Sequence, residues 1–183
     1  MRRLMAATMG LALIAGGAQA AVTVIGGGQA EVCSKAALAE LSDNASERIC
    51  TNALETEMLT PYERAGTFIN RGVLKLRRRS FEAATQDFDA AIHIRPDLGE
   101  AYVNRGAAAI GMGQAQHGMD DINRALALGV TEPAKAYFNR AIAYEALDDE
   151  AHAYFDYMKA QELSPDWPAP AKELLRFSVS PKP

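Results

Sequence analysis

AGTFINRG at 65–72, GEAYVNRG at 99–106 and AKAYFNRA at 134–141 are one phrase written three times. The copies are offset by 34 and 35 residues, and self-similarity at that period is the mark of a helical solenoid rather than of one compact core. Working outward from the phrase, an aromatic stands fourth in each unit (Phe68, Tyr102, Tyr137) and a small residue eighth (Gly72, Gly106, Ala141). Small residues return as Ala84 and Ala91, Gly118 and Ala125, Ala153 and Ala160, with Phe88, Ile122 and Tyr157 between them. Small positions in register on two helices let their backbones approach, and the bulky ones fill the space alongside. Each unit therefore reads as a helical hairpin, and the chain as all-α.

This register, closed by Pro96 and Pro165, resembles the tetratricopeptide repeat family over residues 65–167. The departures are Lys75, Ala109, Ala115 and Glu150 at usual aromatic positions, Gly118 for alanine and Val130 for proline, which make the middle repeat the loosest. The resemblance implies a solenoid with repeats at 65–98, 99–133 and 134–167, inside a helical region that begins at 61. It also implies a concave groove lined by the first helix of every hairpin. Its groove positions fall here on Ile69, Asn70 and Val73, on Glu100, Val103, Asn104 and Ala107, and on Lys135, Phe138, Asn139 and Ile142. Asn70, Asn104 and Asn139 recur at one place. An amide offers both a donor and an acceptor, so a row of them can hold the backbone of an extended peptide without reading its sequence, while apolar neighbours take alternate side chains. The competing reading is that these asparagines bond the neighbouring repeat and hold the stack together. Arg71, Arg105 and Arg140 recur as strictly and are expected to bridge to acidic residues on adjacent helices. The family's carboxylate-gripping groove is not expected, because Ile69, Val73 and Asn139 stand where its other cationic and amide residues belong, with Asn104 and Lys135 alone matching.

Residues 1–20 carry Arg2 and Arg3, an apolar run over 4–17 and the small-residue ending Ala18-Gln19-Ala20, the layout of a secretory signal peptide cut after Ala20. A membrane anchor is the rival, with a run short for a span. With the bacterial resemblance, this leads to a periplasmic protein. Removing the segment leaves 17 basic against 23 acidic residues, a net charge of −6, which argues against nucleic acid as a partner. Residues 21–30 include three glycines and read as a flexible leader, a short strand being the alternative. Residues 31–60 form a degenerate hairpin carrying the two cysteines, Cys33 and Cys50, across its two helices. Export and an even count favour a disulfide there, stiffening a terminal hairpin that has one neighbour; buried thiols and a redox pair are the alternatives.

Thr60-Pro61-Tyr62-Glu63 reads as a capping box opening the first repeat, with Ser80 capping its second helix and Asp97 with Glu100 forming a similar box for the next repeat. The basic run Lys75 to Arg79 fits a helix C-terminus. Glycines 111, 113 and 118 mark the middle repeat as a soft point. Residues 168–177 read as a capping helix, with Trp167 packing nearby, and 178–183 as a disordered tail. His93, His117 and His152 stand without the cysteine or carboxylate set of a metal site, the Asp pairs suit turns and caps, and GGG at 26–28 lacks a phosphate-loop ending. No catalytic residue, metal or cofactor is expected. The function expected is binding of a protein or peptide partner, with self-assembly through the exposed end of the stack as the alternative.

Overall fold

The computed structural model describes residues 4–6 and 18–179; most of the expected signal segment, and residues 180–183 of the expected tail, lie outside them. Among the described residues, eight helices pair into four antiparallel hairpins: α1 (Gly28–Leu38) with α2 (Asn44–Thr56), α3 (Pro61–Arg77) with α4 (Phe81–Ile94), α5 (Gly99–Gly111) with α6 (Ala115–Leu128), and α7 (Pro133–Ala146) with α8 (Glu150–Leu163). A short α9 (Pro168–Leu174) closes the stack, and Leu4–Ala6 (β1) pairs antiparallel with Phe177–Val179 (β2).

The helix-pairing code operates as its residue sizes dictate. Phe88, Ile122 and Tyr157 are fully buried, flanked by Ala84 and Ala91, Ala125, and Ala153 and Ala160, which are buried as completely. In the middle hairpin the two helices cross at glycine: a Cβ on Gly118 would lie 2.7 Å from the Gly106 carbonyl oxygen, and one on Gly106 2.8 Å from that of Gly118. Gly118 is thus what lets α5 and α6 touch, rather than a weak spot in α6. The turns within the four hairpins share one device, a residue at positive φ: Glu40, Arg79, Gly113 and Asp148.

Capping follows the sequence at α3 and, through Asp149, at α8, and departs from it at two other helices. Thr60 and Glu63 form the reciprocal box at α3, with Pro61 at its first position. Ser80 precedes α4 but makes no side-chain capping bond. Asp97 is drawn away by the Arg95 guanidinium (2.6 and 2.8 Å), and Glu100 instead accepts from the Thr131 N–H and hydroxyl, both at 2.9 Å, tying α5 to the loop before α7. The basic run is absorbed in structure: Lys75 pairs with Asp87 at 2.8 Å, Arg77 reaches the Leu41 carbonyl at 3.1 Å, and Arg78 meets Glu47 and Asn44. Arg77 and Arg78 clamp the first hairpin onto the end of α3, and Lys75 ties α3 to α4.

Cys33 and Cys50 are joined, with sulfurs 2.09 Å apart and both residues wholly buried between α1 and α2. At the other end, Trp167 packs tilted against Phe138, with ring centroids 4.9 Å apart. The closing helix is shorter than its expected span to 177. Phe177 leaves the helix to enter the aromatic cluster of Tyr154 and Tyr157, at 5.7 and 5.9 Å, and Arg176 is held by Glu145 and Glu173, so residues 177–179 run as a strand.

Candidate functional site

Residues 18–24 are extended and lie in the concave groove, crossing α7, α5, α3 and α1 in turn, opposite in direction to the order of the repeats. This corrects the reading of residues 21–30 as flexible throughout: the first part is pinned by bonds to residues far along the chain. In an extended strand the N–H and C=O of one residue point to the same edge, and the next residue's point to the other. Asn139 meets this edge at Ala18, accepting from its N–H at 2.8 Å and donating to its C=O at 2.8 Å. Asn104 does the same to Ala20, at 3.0 and 2.7 Å. Asn70 does so to Val22, at 2.9 and 2.8 Å. The ladder has a fourth rung that the sequence reading missed. Ser34 on α1 accepts from the Val24 N–H at 3.1 Å and donates to the Val22 C=O at 3.0 Å.

The rungs are dry, for Asn70, Asn104 and Asn139 are fully buried and Ser34 nearly so. A buried amide left unpaired costs about 1–3 kcal/mol, so the strand and the ladder stabilise one another. Ala20, Val22 and Val24 are buried in turn, whereas Thr23 and Ile25 are exposed. The space beneath them is narrow: a Cβ on Gly66 would sit 3.0 Å from the Val24 Cγ2 and 3.2 Å from the Val22 Cγ1. Gly66, one helical turn before Asn70, is a groove residue the sequence reading did not name. Between the small residues, Gln19 accepts from the Arg77 Nε at 3.4 Å.

The apolar groove positions divide. Ile69 and Val73 share a cluster with Val22, and Ala18 packs on the cluster of Phe138 and Ile142. Val103 packs with Ile122, Ala125 and Ala136 among the helices. Ala107 joins the first cluster. Lys135 pairs with Glu132 at 2.7 Å and lines a cleft of about 520 Å³ with Trp167 and Glu40.

The recurring arginines hold the ladder's scaffold. Arg71 reaches Asp87 at 2.7 Å and Thr51 at 3.1 Å; Arg105 reaches Asp121 and Asp89, both at 2.7 Å; Arg140 reaches Asp156 at 2.7 Å and Asn123 at 2.8 Å. Each ties the second helix of its own hairpin to that of the preceding one. Each also lies over the aromatic three residues before it, Phe68, Tyr102 or Tyr137, at 5.4, 5.5 and 5.2 Å. The Asp121 and Asp156 carboxylates hold the Arg105 and Arg140 guanidiniums above their ordinary pKa. The asparagine faces the groove and the arginine after it braces the repeats. His152 is bonded to Asp149 at 2.7 Å, and among the described residues no group of three His, Cys, Asp or Glu side chains could hold a metal ion. No helix among them is long and apolar enough to cross a membrane.

The comparisons with known proteins agree with this architecture. The tetratricopeptide repeat family model matches residues 134–166. No curated protein matches the chain. Among solved structures, the first TPR of Spaghetti (RPAP3) bound to the HSP90 peptide SRMEEVD is similar at 24% identity and a TM-score of 0.56, over 61% of this chain and 88% of that one. The second TPR domain of human RPAP3 in complex with the HSP70 peptide SGPTIEEVD is similar at 20% identity and 0.57, over 64% and 97%. MamA 41-end from Desulfovibrio magneticus RS-1 is similar at 18% identity and 0.61, over 81% and 82%. With four stacked hairpins, these likenesses and the match at 134–166, the fold is that of a tetratricopeptide-repeat solenoid.

Proposed function

We propose that the protein is a non-enzymatic interaction module of the bacterial cell envelope that binds an extended segment of a partner protein along its concave groove. One observation carries this reading: Asn70, Asn104 and Asn139 each bracket the N–H and C=O of alternate residues of an extended chain. Such contacts use only backbone, so they suit any segment whose inward side chains are small enough. Two of the structurally similar proteins were solved with peptides bound, which supports a groove of this kind as a peptide site. The envelope location is supported by residues 1–20 alone, with their basic start, apolar run and Ala18-Gln19-Ala20 ending. The disulfide has a structural role in this reading, because both cysteines are fully buried where an attacking thiolate has no access.

The test is affinity capture from a native periplasmic extract, using the exported protein beside a variant with Asn70, Asn104 and Asn139 all changed to Ala, with melting curves for both. A partner retained by the first and lost from an equally stable variant supports the groove. A partner retained by both removes the asparagines from recognition, and recovery of the protein alone favours self-assembly.

A further inference from the structure

The strand that fills the groove spans the bond at which the signal is expected to be cut. Ala18 and Ala20, held by Asn139 and Asn104, lie before that bond; Val22 and Val24, held by Asn70 and Ser34, lie after it. Cleavage therefore divides the ladder in half. The two rungs on α5 and α7 lose their covalently attached occupant, and the two on α3 and α1 keep theirs.

The half that empties has a closed end. A second chain entering in the same direction and register places one residue on Asn139 and another, two positions later, on Asn104. The next position is already taken by Ala21, since Val22 stays fixed on Asn70 by bonds of 2.9 and 2.8 Å. The incoming chain must end at Asn104. Its terminal carboxylate keeps one oxygen on the Asn104 amide, near the place of the Ala20 carbonyl oxygen, and the new α-ammonium of Ala21 draws back to hydrogen-bond distance, about 2.8 Å, from the other, an opposite charge produced by the cleavage itself. The side chain on Asn104 must be small, because Ala20 is 2% exposed in the groove. The residue between the two rungs meets Arg77, which donates to the Gln19 side chain at 3.4 Å.

We infer that the processed protein is a receptor for free peptide C-termini of the form small–x–small, held by Asn139 and Asn104 with the carboxylate against the Ala21 ammonium. The inference rests on the groove reading above and on cleavage after Ala20. It differs from a lysine-lined carboxylate clamp, because the cation is the chain's own new terminus. The expected signal segment itself has this form, ending in Ala18-Gln19-Ala20.

The experiment begins with the full chain expressed for export, recovered from the periplasm, freed of bound peptide by dialysis and sequenced at its N-terminus; any first residue other than Ala21 overturns the inference. The probe is the labelled pentapeptide GGAQA as free acid, titrated by fluorescence anisotropy. The amidated peptide should bind about tenfold more weakly, through loss of a charge-assisted contact. Phenylalanine at either peptide position matching Ala18 or Ala20 should weaken binding by at least about tenfold, through overpacking of a closed groove. Serine at the glutamine position should be tolerated, and Asn104→Ala in the protein should abolish binding while its melting curve shows it folded. Equal binding of acid and amide overturns the inference. So does tighter, Asn104-dependent binding of the ten-residue GGAQAAVTVI, which would show the groove taking a through-running chain and leave the groove reading intact. Failure of both peptides to bind removes the inference and the groove reading together.

Discussion

At the scale of single residues, the groove asks for an amide and for nothing else. Asn104 presents one acceptor and one donor to Ala20, at 3.0 and 2.7 Å, from a position with no exposure. Aspartate there would set a carboxylate against the Ala20 carbonyl, and alanine would leave both backbone groups unpaired; either change is expected to destabilise the full chain by about 1–3 kcal/mol in urea unfolding. A double-mutant cycle of Asn104→Ala with Ala20→Pro, which deletes the N–H, separates the two readings of the asparagine. A coupling of about 1 kcal/mol or more means that Asn104 acts through the strand, and a coupling near zero means that it acts within the stack. A second residue carries a pH signature. Burial raises the Glu145 pKa, against the pull of Arg176 at 3.1 Å. A carboxyl with a raised folded pKa stabilises the fold while protonated, and that stability is lost as pH climbs from its unfolded pKa through its folded one. Glu145→Gln should therefore raise the melting midpoint at pH 7 and leave it nearly unchanged at pH 4. Asp43, Glu63 and Asp149 run the other way. Each is held below the ordinary range, first by the Ser46 N–H, the Thr60 side-chain contact and the His152 N–H respectively, so their contribution is present at neutral pH and lost as pH falls through their folded pKa values.

At the scale of elements, the α5–α6 pair turns on one contact. A Cβ on Gly118 would lie 2.7 Å from the backbone oxygen of Gly106, which has no side-chain freedom with which to yield. Gly118→Ala, stabilising by helix propensity alone, is thus expected to destabilise by about 1–3 kcal/mol through overpacking, read from the denaturant midpoint. The α1–α2 hairpin depends on its bridge. Reduction, or Cys33→Ser with Cys50→Ser, should cost roughly 3 kcal/mol for a loop of 17 residues, with faster amide exchange in those two helices before the rest. The helices were the legible part of this chain, because a small-and-bulky code repeated three times needs only neighbours about 20 residues away to be understood. For the converse reason, Asp97 does not cap α5. Whether a polar side chain caps a helix is decided by competitors such as Arg95, which sequence spacing does not rank. Gly118 was legible as a departure but not as a requirement, since its partner, the Gly106 carbonyl, is visible only when the helices cross.

At the scale of the whole molecule, the asparagine ladder was legible and its occupant was not. Three asparagines at one register position suggested an extended chain, but nothing local in residues 18–24 says that their partners lie 121, 84 and 48 residues away. Small residues at Ala18 and Ala20 fit a cleavage signal as well as a narrow groove, so one pattern carried two meanings. That strand joins all four hairpins on their concave side, in addition to the helix contacts that join them in sequence. Its geometry makes a pattern that no helix produces. The N–H groups of Ala18, Ala20, Val22 and Val24 are bonded to buried side chains, whereas those of Ala21 and Thr23 point to the other edge. Amide exchange of the full chain, followed by NMR, should accordingly alternate along the segment, slow at Ala20, Val22 and Val24 and fast at Ala21 and Thr23. Asn104→Ala distinguishes a strand that opens as one body from one that frays. If the rungs open together, exchange quickens equally at Ala18, Ala20, Val22 and Val24. If the strand frays from its N-terminal side, exchange quickens at Ala18 and Ala20 while Val22 and Val24, on Asn70 and Ser34, stay slow. The rungs are separate side chains on separate helices, each with its own pair of bonds, so fraying is the expected result. Uniform exchange at all six amides would mean that the segment is not held in the groove in solution.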